Sequence, residues 1–146
     1  MKNLTLKNVQ TSESVTIDRD GNKFNVKTII PDTDTSKCRA NFVEVEPGNY
    51  AYGYHYHEAN EEIFYIISGT GVIRTHEGDI QVKAGDAIGF PTGVKGAHVI
   101  RNESATEKLV YIDFGTTILP EVVHLPDFNK IMVISQEVNG IFDKQN

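Results

Sequence analysis

Gly53-Tyr54-His55-Tyr56-His57-Glu58-Ala59-Asn60-Glu61-Glu62-Ile63-Phe64-Tyr65-Ile66-Ile67-Ser68-Gly69 is the stretch that decides the reading of this chain. In a strand, residues two apart point to the same face, so His55 and His57 project together. Glu62 opens the next β-type run after a short turn, and a hairpin folds it back beside the two imidazoles. Two imidazoles and a carboxylate converging on one point make a site for a divalent metal ion.

A second stretch, Gly85-Asp86-Ala87-Ile88-Gly89-Phe90-Pro91-Thr92-Gly93-Val94-Lys95-Gly96-Ala97-His98-Val99-Ile100-Arg101-Asn102, supplies a partner. Pro91 and Gly93 make a tight turn, after which His98 starts a fresh strand and offers a third imidazole. On both sides, short β-type runs alternate with turn residues: 24–30 ended by Pro31, 41–46 closed by Pro47-Gly48, then 50–57, 62–67, 72–76, 80–82, 87–90, 98–101 and 108–114. Residues 131–134 add a short one. Strands at this spacing predict an all-β antiparallel sandwich or barrel, and no window keeps a 3.6-residue apolar period, so little helix is expected. Residues 2–9 read as an edge strand, 119–130 as an extended arm and 138–146 as a frayed helix or tail.

These two stretches resemble the two motifs of the cupin superfamily. His55, His57, Glu62 and Gly69 follow the pattern H-x-H-x4-E-x6-G of the first. Gly85, Pro91, Gly93, His98 and Asn102 follow the second. The resemblance implies a jelly-roll barrel, a double-stranded β-helix, over a motif core of about 41–114. It also implies one metal inside the barrel on His55, His57, Glu62 and His98. Two spacings depart from the pattern. Six residues rather than five separate Gly48 from His55, and four rather than two separate Gly93 from His98. The extra pair is read as a longer turn within 94–97. Glu61 competes with Glu62 as the carboxylate ligand, and Glu62 is preferred because it keeps the spacing to Gly69.

Parity then assigns neighbours. Phe64 and Ile66 share a face with Glu62, and Ile100 and Asn102 share one with His98, so these four are expected to line the pocket. Tyr50, Tyr52, Tyr54 and Tyr56 fall on the opposite face from His55 and His57 unless a β-bulge intervenes. His76 and His124 read as surface residues. Lys95, in the lengthened turn, is a candidate contact for an anionic substrate.

Bulk properties set limits on partners. The 146 residues suit one domain, 1–146. A net charge of −6 and a pI of about 5.3 argue against nucleic acid and against an anionic membrane surface. Cys38 is the single cysteine, so no intrachain disulfide forms. The first residues lack the apolar run of a signal peptide, and no stretch has the length of a transmembrane helix, so a cytoplasmic location is expected. There is no G-x-S-x-G elbow, no P-loop, and no third glycine after Gly69-Thr70-Gly71 for a dinucleotide turn.

Mixed nitrogen and oxygen ligands suit Zn, Ni, Fe, Mn or Cu and leave coordination positions open. The expectation is a metal-dependent enzyme on a small oxygen-rich molecule, of dioxygenase, isomerase or decarboxylase type. The alternative is a non-catalytic barrel that binds or senses a small molecule or a sugar. By analogy with single-domain cupins, a homodimer is expected.

Overall fold

The computed structural model describes residues 4–19 and 21–145. Thirteen strands follow one another along the chain: β1 (Val15–Arg19), β2 (Asn22–Ile30), β3 (Cys38–Val45), β4 (Tyr50–His57), β5 (Glu62–Ser68), β6 (Thr70–Thr75), β7 (Gly78–Lys83), β8 (Ala87–Phe90), β9 (His98–Arg101), β10 (Leu109–Thr116), β11 (Glu121–Leu125), β12 (Lys130–Ile134) and β13 (Asn139–Asp143). Among the described residues the helical content is two single-turn 3-10 segments, Val94–Gly96 and Pro126–Phe128. One sheet has the order β1-β2-β3-β10-β5-β8 and the other β13-β12-β11-β4-β9-β6-β7, with antiparallel pairing throughout the described residues. This is the all-β antiparallel architecture expected from the turn spacing, in the jelly-roll form that the resemblance implies. Among the described residues no helix is long and apolar enough to cross a membrane.

Strict alternation explains how the two sheets meet. In β3, Val43 and Val45 point inward; in β10, Leu109 and Tyr111; in β5, Phe64 and Ile66. With Phe24, Ile73 and Ile100 they form one buried cluster between the sheets. Burying such side chains stabilises the fold by roughly 1.5–3 kcal/mol each, which lets the barrel stand without disulfide staples. The turn between β5 and β6 requires Gly69, whose φ is +82° and whose Cβ would collide with the Lys108 carbonyl oxygen.

The structure corrects three expectations at the periphery. Residues 4–8 form no strand, and the edge of the first sheet is β1 instead; residues 2 and 3 lie outside the described residues. The extended arm is a strand, β11, that pairs with β4 on one side and β12 on the other. The expected frayed helix or tail holds β13, which completes a meander with β12; residue 146 lies outside the described residues. Pro120 and Pro126 flank β11 without interrupting it, as their missing N–H groups require.

Candidate metal centre

Four side chains meet between the sheets. His55 and His57 come from β4, Glu62 from the first position of β5 and His98 from the first position of β9. Their Nε2 atoms face one oxygen, Glu62 Oε2, at 3.6 Å for His55, 3.3 Å for His57 and 3.2 Å for His98. Donor atoms of His55, Glu62 and His98 all lie within 4.8 Å of one another. His57 stands at the margin of that trio and reaches the same oxygen.

Each of these side chains meets a polar group on its far side. His55 Nδ1 lies 2.7 Å from the Gly53 carbonyl oxygen, and His98 Nδ1 lies 2.8 Å from that of Gly96. A carbonyl only accepts, so each Nδ1 carries the hydrogen and each Nε2 presents a lone pair. His57 Nδ1 lies 3.4 Å from Glu121 Oε2. Glu62 Oε1 accepts from the Arg39 guanidinium at 3.0 Å, which leaves Oε2 for the imidazoles. Phe90 stacks on the His98 ring at 3.7 Å and Phe64 meets it edge-on.

The inward atoms His57 Nε2, His98 Nε2 and Glu62 Oε2 are buried with no hydrogen-bond partner. Lone pairs facing a carboxylate oxygen at this range repel unless a cation lies among them. The surrounding charge agrees: Glu62, Asp113 and Glu121 are buried carboxylates, and Arg39 is the guanidinium set among them. Burial pushes the Glu62 carboxyl up, but the imidazoles around it outweigh that and hold it well below the ordinary range. Burial pushes His98 down. Burial also opposes a charge on His57, yet Glu62 and Glu121 on its two nitrogens raise it. The donor set fits a divalent cation, and the Gly53 and Gly96 carbonyls and Arg39 fix the donors' directions from outside, as in known metal sites.

Both irregular spacings of the sequence are absorbed locally. In β4, Ala51 pairs with Ile100 and His55 with His98, so two extra residues on β4 face none on β9. The bulge sits at Tyr52 and Gly53, with φ of +68° and +123°. It turns Tyr52 onto the cavity, against the parity expectation, while Tyr54 lies under Arg74 and Tyr56 stacks on His124. The longer turn before His98 is the 3-10 segment Val94–Gly96. Gly96 is required there, since a Cβ would collide with the Pro91 carbonyl oxygen.

His55, His57 and Glu62 line one side of a cavity of about 400 Å³. Arg39, Asn41, Glu62 and Asp113 form a polar side, and Val123, Leu125, Met132 and Ile134 an apolar one. Of the four expected lining residues, Phe64 reaches the cavity. Ile66, Ile100 and Asn102 keep the expected parity but lie deeper, sealed in the core. The Asn102 amide donates to the Val45 and Glu107 carbonyls, a structural task. Lys95 is exposed on the 3-10 turn and is not among the cavity's lining residues. The cation that does line it is Arg39, bonded at 3.0 Å to both Glu62 and Asp113.

Arg39, Asp113 and Glu121 escaped the sequence reading. Arg39 and Asn41 continue the inward alternation of Val43 and Val45, and Asp113 continues that of Leu109 and Tyr111. A charged residue on an otherwise apolar strand face was the available signal. Burial, aided by the charge of Glu62, pushes the Asp113 carboxyl up to about 6 against the opposing pull of Arg39. Glu121 had no signal, because its role depends on β11 docking beside β4.

Comparison with known proteins places this geometry. An oxalate-binding protein of Thermotoga maritima is 35% identical over 65 residues, which cover 44% of this chain and 51% of that one; the aligned stretch thus spans about half the length of that relative. The crystal structure of a sugar phosphate isomerase of the cupin superfamily from Silicibacter pomeroyi superposes with a TM-score of 0.83. It covers 94% of this chain and 91% of that one at 19% identity. A predicted oxalate decarboxylase from Thermotoga maritima gives 0.68 over 77% of this chain and 99% of that one, at 22% identity. The sequence profile of the cupin domain matches residues 41–115, half of the chain, and takes in all four converging side chains: the chain belongs to the cupin family.

Proposed function

We propose that this chain binds one divalent transition metal through His55, His57, Glu62 and His98 and acts as an enzyme on a small oxygen-rich molecule in the adjoining cavity. The observation that carries this reading is the convergence of three imidazole Nε2 atoms on Glu62 Oε2, with the His55 and His98 rings held from behind by backbone carbonyls and His57 Nδ1 3.4 Å from Glu121 Oε2. When bound, the metal supplies Lewis-acid polarisation of a substrate oxygen. The cavity wall supplies the rest. Asp113 is a buried carboxylate with its proton affinity raised into the range useful for proton transfer at neutral pH. Arg39 anchors one of its oxygens and leaves Oδ1 without a partner. Phe64 and the β11–β12 side chains exclude water. Among the expected reaction types, this arrangement favours isomerisation, in which a proton moves next to a polarised carbonyl. The test is elemental analysis of untagged protein after reconstitution, followed by hydrogen–deuterium exchange into candidate hydroxy-carbonyl compounds. Near one equivalent of metal with Asp113-dependent exchange supports the reading; a folded parent that takes up no metal overturns it.

A non-catalytic small-molecule barrel is the second reading, favoured by the 35% identity to an oxalate-binding protein. It predicts saturable binding with no exchange or turnover.

The chain is also proposed to pair with a second copy of itself. The outer face of β5 and β10 exposes Ile63, Tyr65, Ile67 and Phe114, each 40–49% accessible. Ile63 and Phe114 are register partners, so the side chains form one patch. An apolar patch on an antiparallel pair is close to self-complementary about a two-fold axis, and patches of this kind mark association surfaces.

A further inference from the structure

The cavity beside the metal ligands has a charge pattern that restricts its ligand, on the reading that a divalent ion is bound there. Arg39 is the cationic side chain among the described lining residues, apart from the imidazoles, and both ends of its guanidinium are taken, by Glu62 and by Asp113. With a divalent ion in place, the charges of Glu62, Asp113 and Glu121 are balanced by that ion and Arg39, and the site is neutral. A ligand carrying two negative charges would therefore bring a net negative charge into a buried site that is already neutral and whose guanidinium is already paired with two carboxylates, a costly burial. The polar wall asks instead for a donor. Asp113 is 3% exposed, lines the cavity, and its Oδ1 meets no hydrogen-bond partner. An acceptor left alone in that setting is unfavourable, and a ligand hydroxyl relieves it. The opposite wall, Val123, Leu125, Met132 and Ile134, offers apolar contact and no polar side chain.

We infer that the ligand of this site is a hydroxy-carbonyl compound, neutral or singly charged, whose hydroxyl donates to Asp113 while its apolar end lies against β11 and β12. Dicarboxylates and phosphate esters fit this wall poorly. The residue that sets the preference is Asp113, both as the acceptor for the hydroxyl and as the group that occupies Arg39.

The experiment is calorimetric titration of nickel-loaded protein with 2-hydroxyacetophenone, 2-methoxyacetophenone, oxalate and fructose 6-phosphate. Metal content is measured on the same samples. The hydroxy ketone is expected to bind at least tenfold more tightly than its methyl ether and than either anion. In Asp113→Ala that preference should shrink to within about threefold, and oxalate should bind more tightly than it does to the parent, because Arg39 is released. Asp113→Asn is the second variant: Arg39 keeps the amide oxygen, the NH2 group faces the cavity, and the hydroxyl loses its acceptor without loss of side-chain volume. A metal-loaded parent that prefers either anion, or a hydroxyl preference unchanged in both variants, overturns this inference and leaves the metal reading standing. A folded parent that takes up no metal overturns both.

Discussion

Glu121 Oε2 lies 3.4 Å from His57 Nδ1, so a residue beyond the part of the chain that matches the cupin profile stands behind one of the converging imidazoles within it. The same carboxylate accepts from the backbone N–H groups of Glu58, Ala59 and Val122 at 3.0–3.1 Å, and from the Asn60 side chain. It therefore holds the β4–β5 turn that sets Glu62 opposite the two imidazoles. The C-terminal strands are part of the site, and the first prediction follows from that.

Replacing Glu121 with Ala strands several buried donors and should cost about 3 kcal/mol of stability. Glu121→Gln keeps an oxygen for the backbone donors and should cost less, while still weakening metal binding by about 10-fold to 100-fold, the usual effect of losing a ligand's orienting partner. Denaturant titration of metal-free protein and competition with a metallochromic chelator measure the two effects separately. Equal metal affinity in Glu121→Gln and parent would remove Glu121 from the site.

Gly96→Ala tests the lengthened turn. A Cβ there collides with the Pro91 carbonyl oxygen, so the backbone must shift, and with it the carbonyl that holds His98 Nδ1. The expected outcome is at least a tenfold loss of metal affinity together with a stability loss of about 2 kcal/mol. Gly93→Ala is the comparison: it has open space and carries only the strain of its φ of +79° and ψ of −172°, a region nearly restricted to glycine, about 1–3 kcal/mol. Affinity should be near that of the parent in Gly93→Ala.

Asp113 makes the stability of the metal-stripped protein depend on pH. Its carboxyl titrates at about 6 when folded, against an ordinary 3.8. Between those values the folded chain holds a proton that the unfolded chain has released, so stability falls as pH rises through this window and the penalty is complete above it. Relative to Asp113→Asn, the parent should lose on the order of 1–3 kcal/mol between pH 4 and pH 6.5. Chemical denaturation across that range reads the difference, and a difference of opposite slope would contradict the assignment.

Tyr65→Asp places a charge at the centre of the outer β5–β10 patch, on a side chain that is 49% exposed. If that face pairs two copies, light scattering should show a dimer for the parent and a monomer for the variant. The metal site should be unaffected, since Tyr65 points away from the core. A monomeric parent across micromolar concentrations would rule the pairing out.

Much of the convergence of His55, His57, Glu62 and His98 is legible in the sequence. The two-residue alternation of His55 and His57, the spacing from Glu62 to Gly69 and the turn residues ahead of His98 are local properties. Backbone geometry converts them directly into direction. The inward faces of Phe64 and Ile66 follow from the same period. What local pattern cannot carry is depth: Ile66, Ile100 and Asn102 have the right parity but sit where the sheets close on each other, and only Phe64 stands at the level of the cavity. Nor can parity survive an insertion, and the bulge at Tyr52 and Gly53 moves one tyrosine onto the cavity and leaves Tyr54 and Tyr56 on the outer face.

By itself, then, the sequence determined the all-β class, the hairpin that presents three of the ligands and the glycines that make its turns possible, because each depends on residues within a few positions of one another. The tertiary structure alone decided which charges surround the ligands. Arg39, Asp113 and Glu121 lie on β3, β10 and β11, far apart in the chain, and are brought together by strand pairings set over the whole barrel. A buried ion pair or an orienting carboxylate is a property of that pairing, and no local pattern announces it.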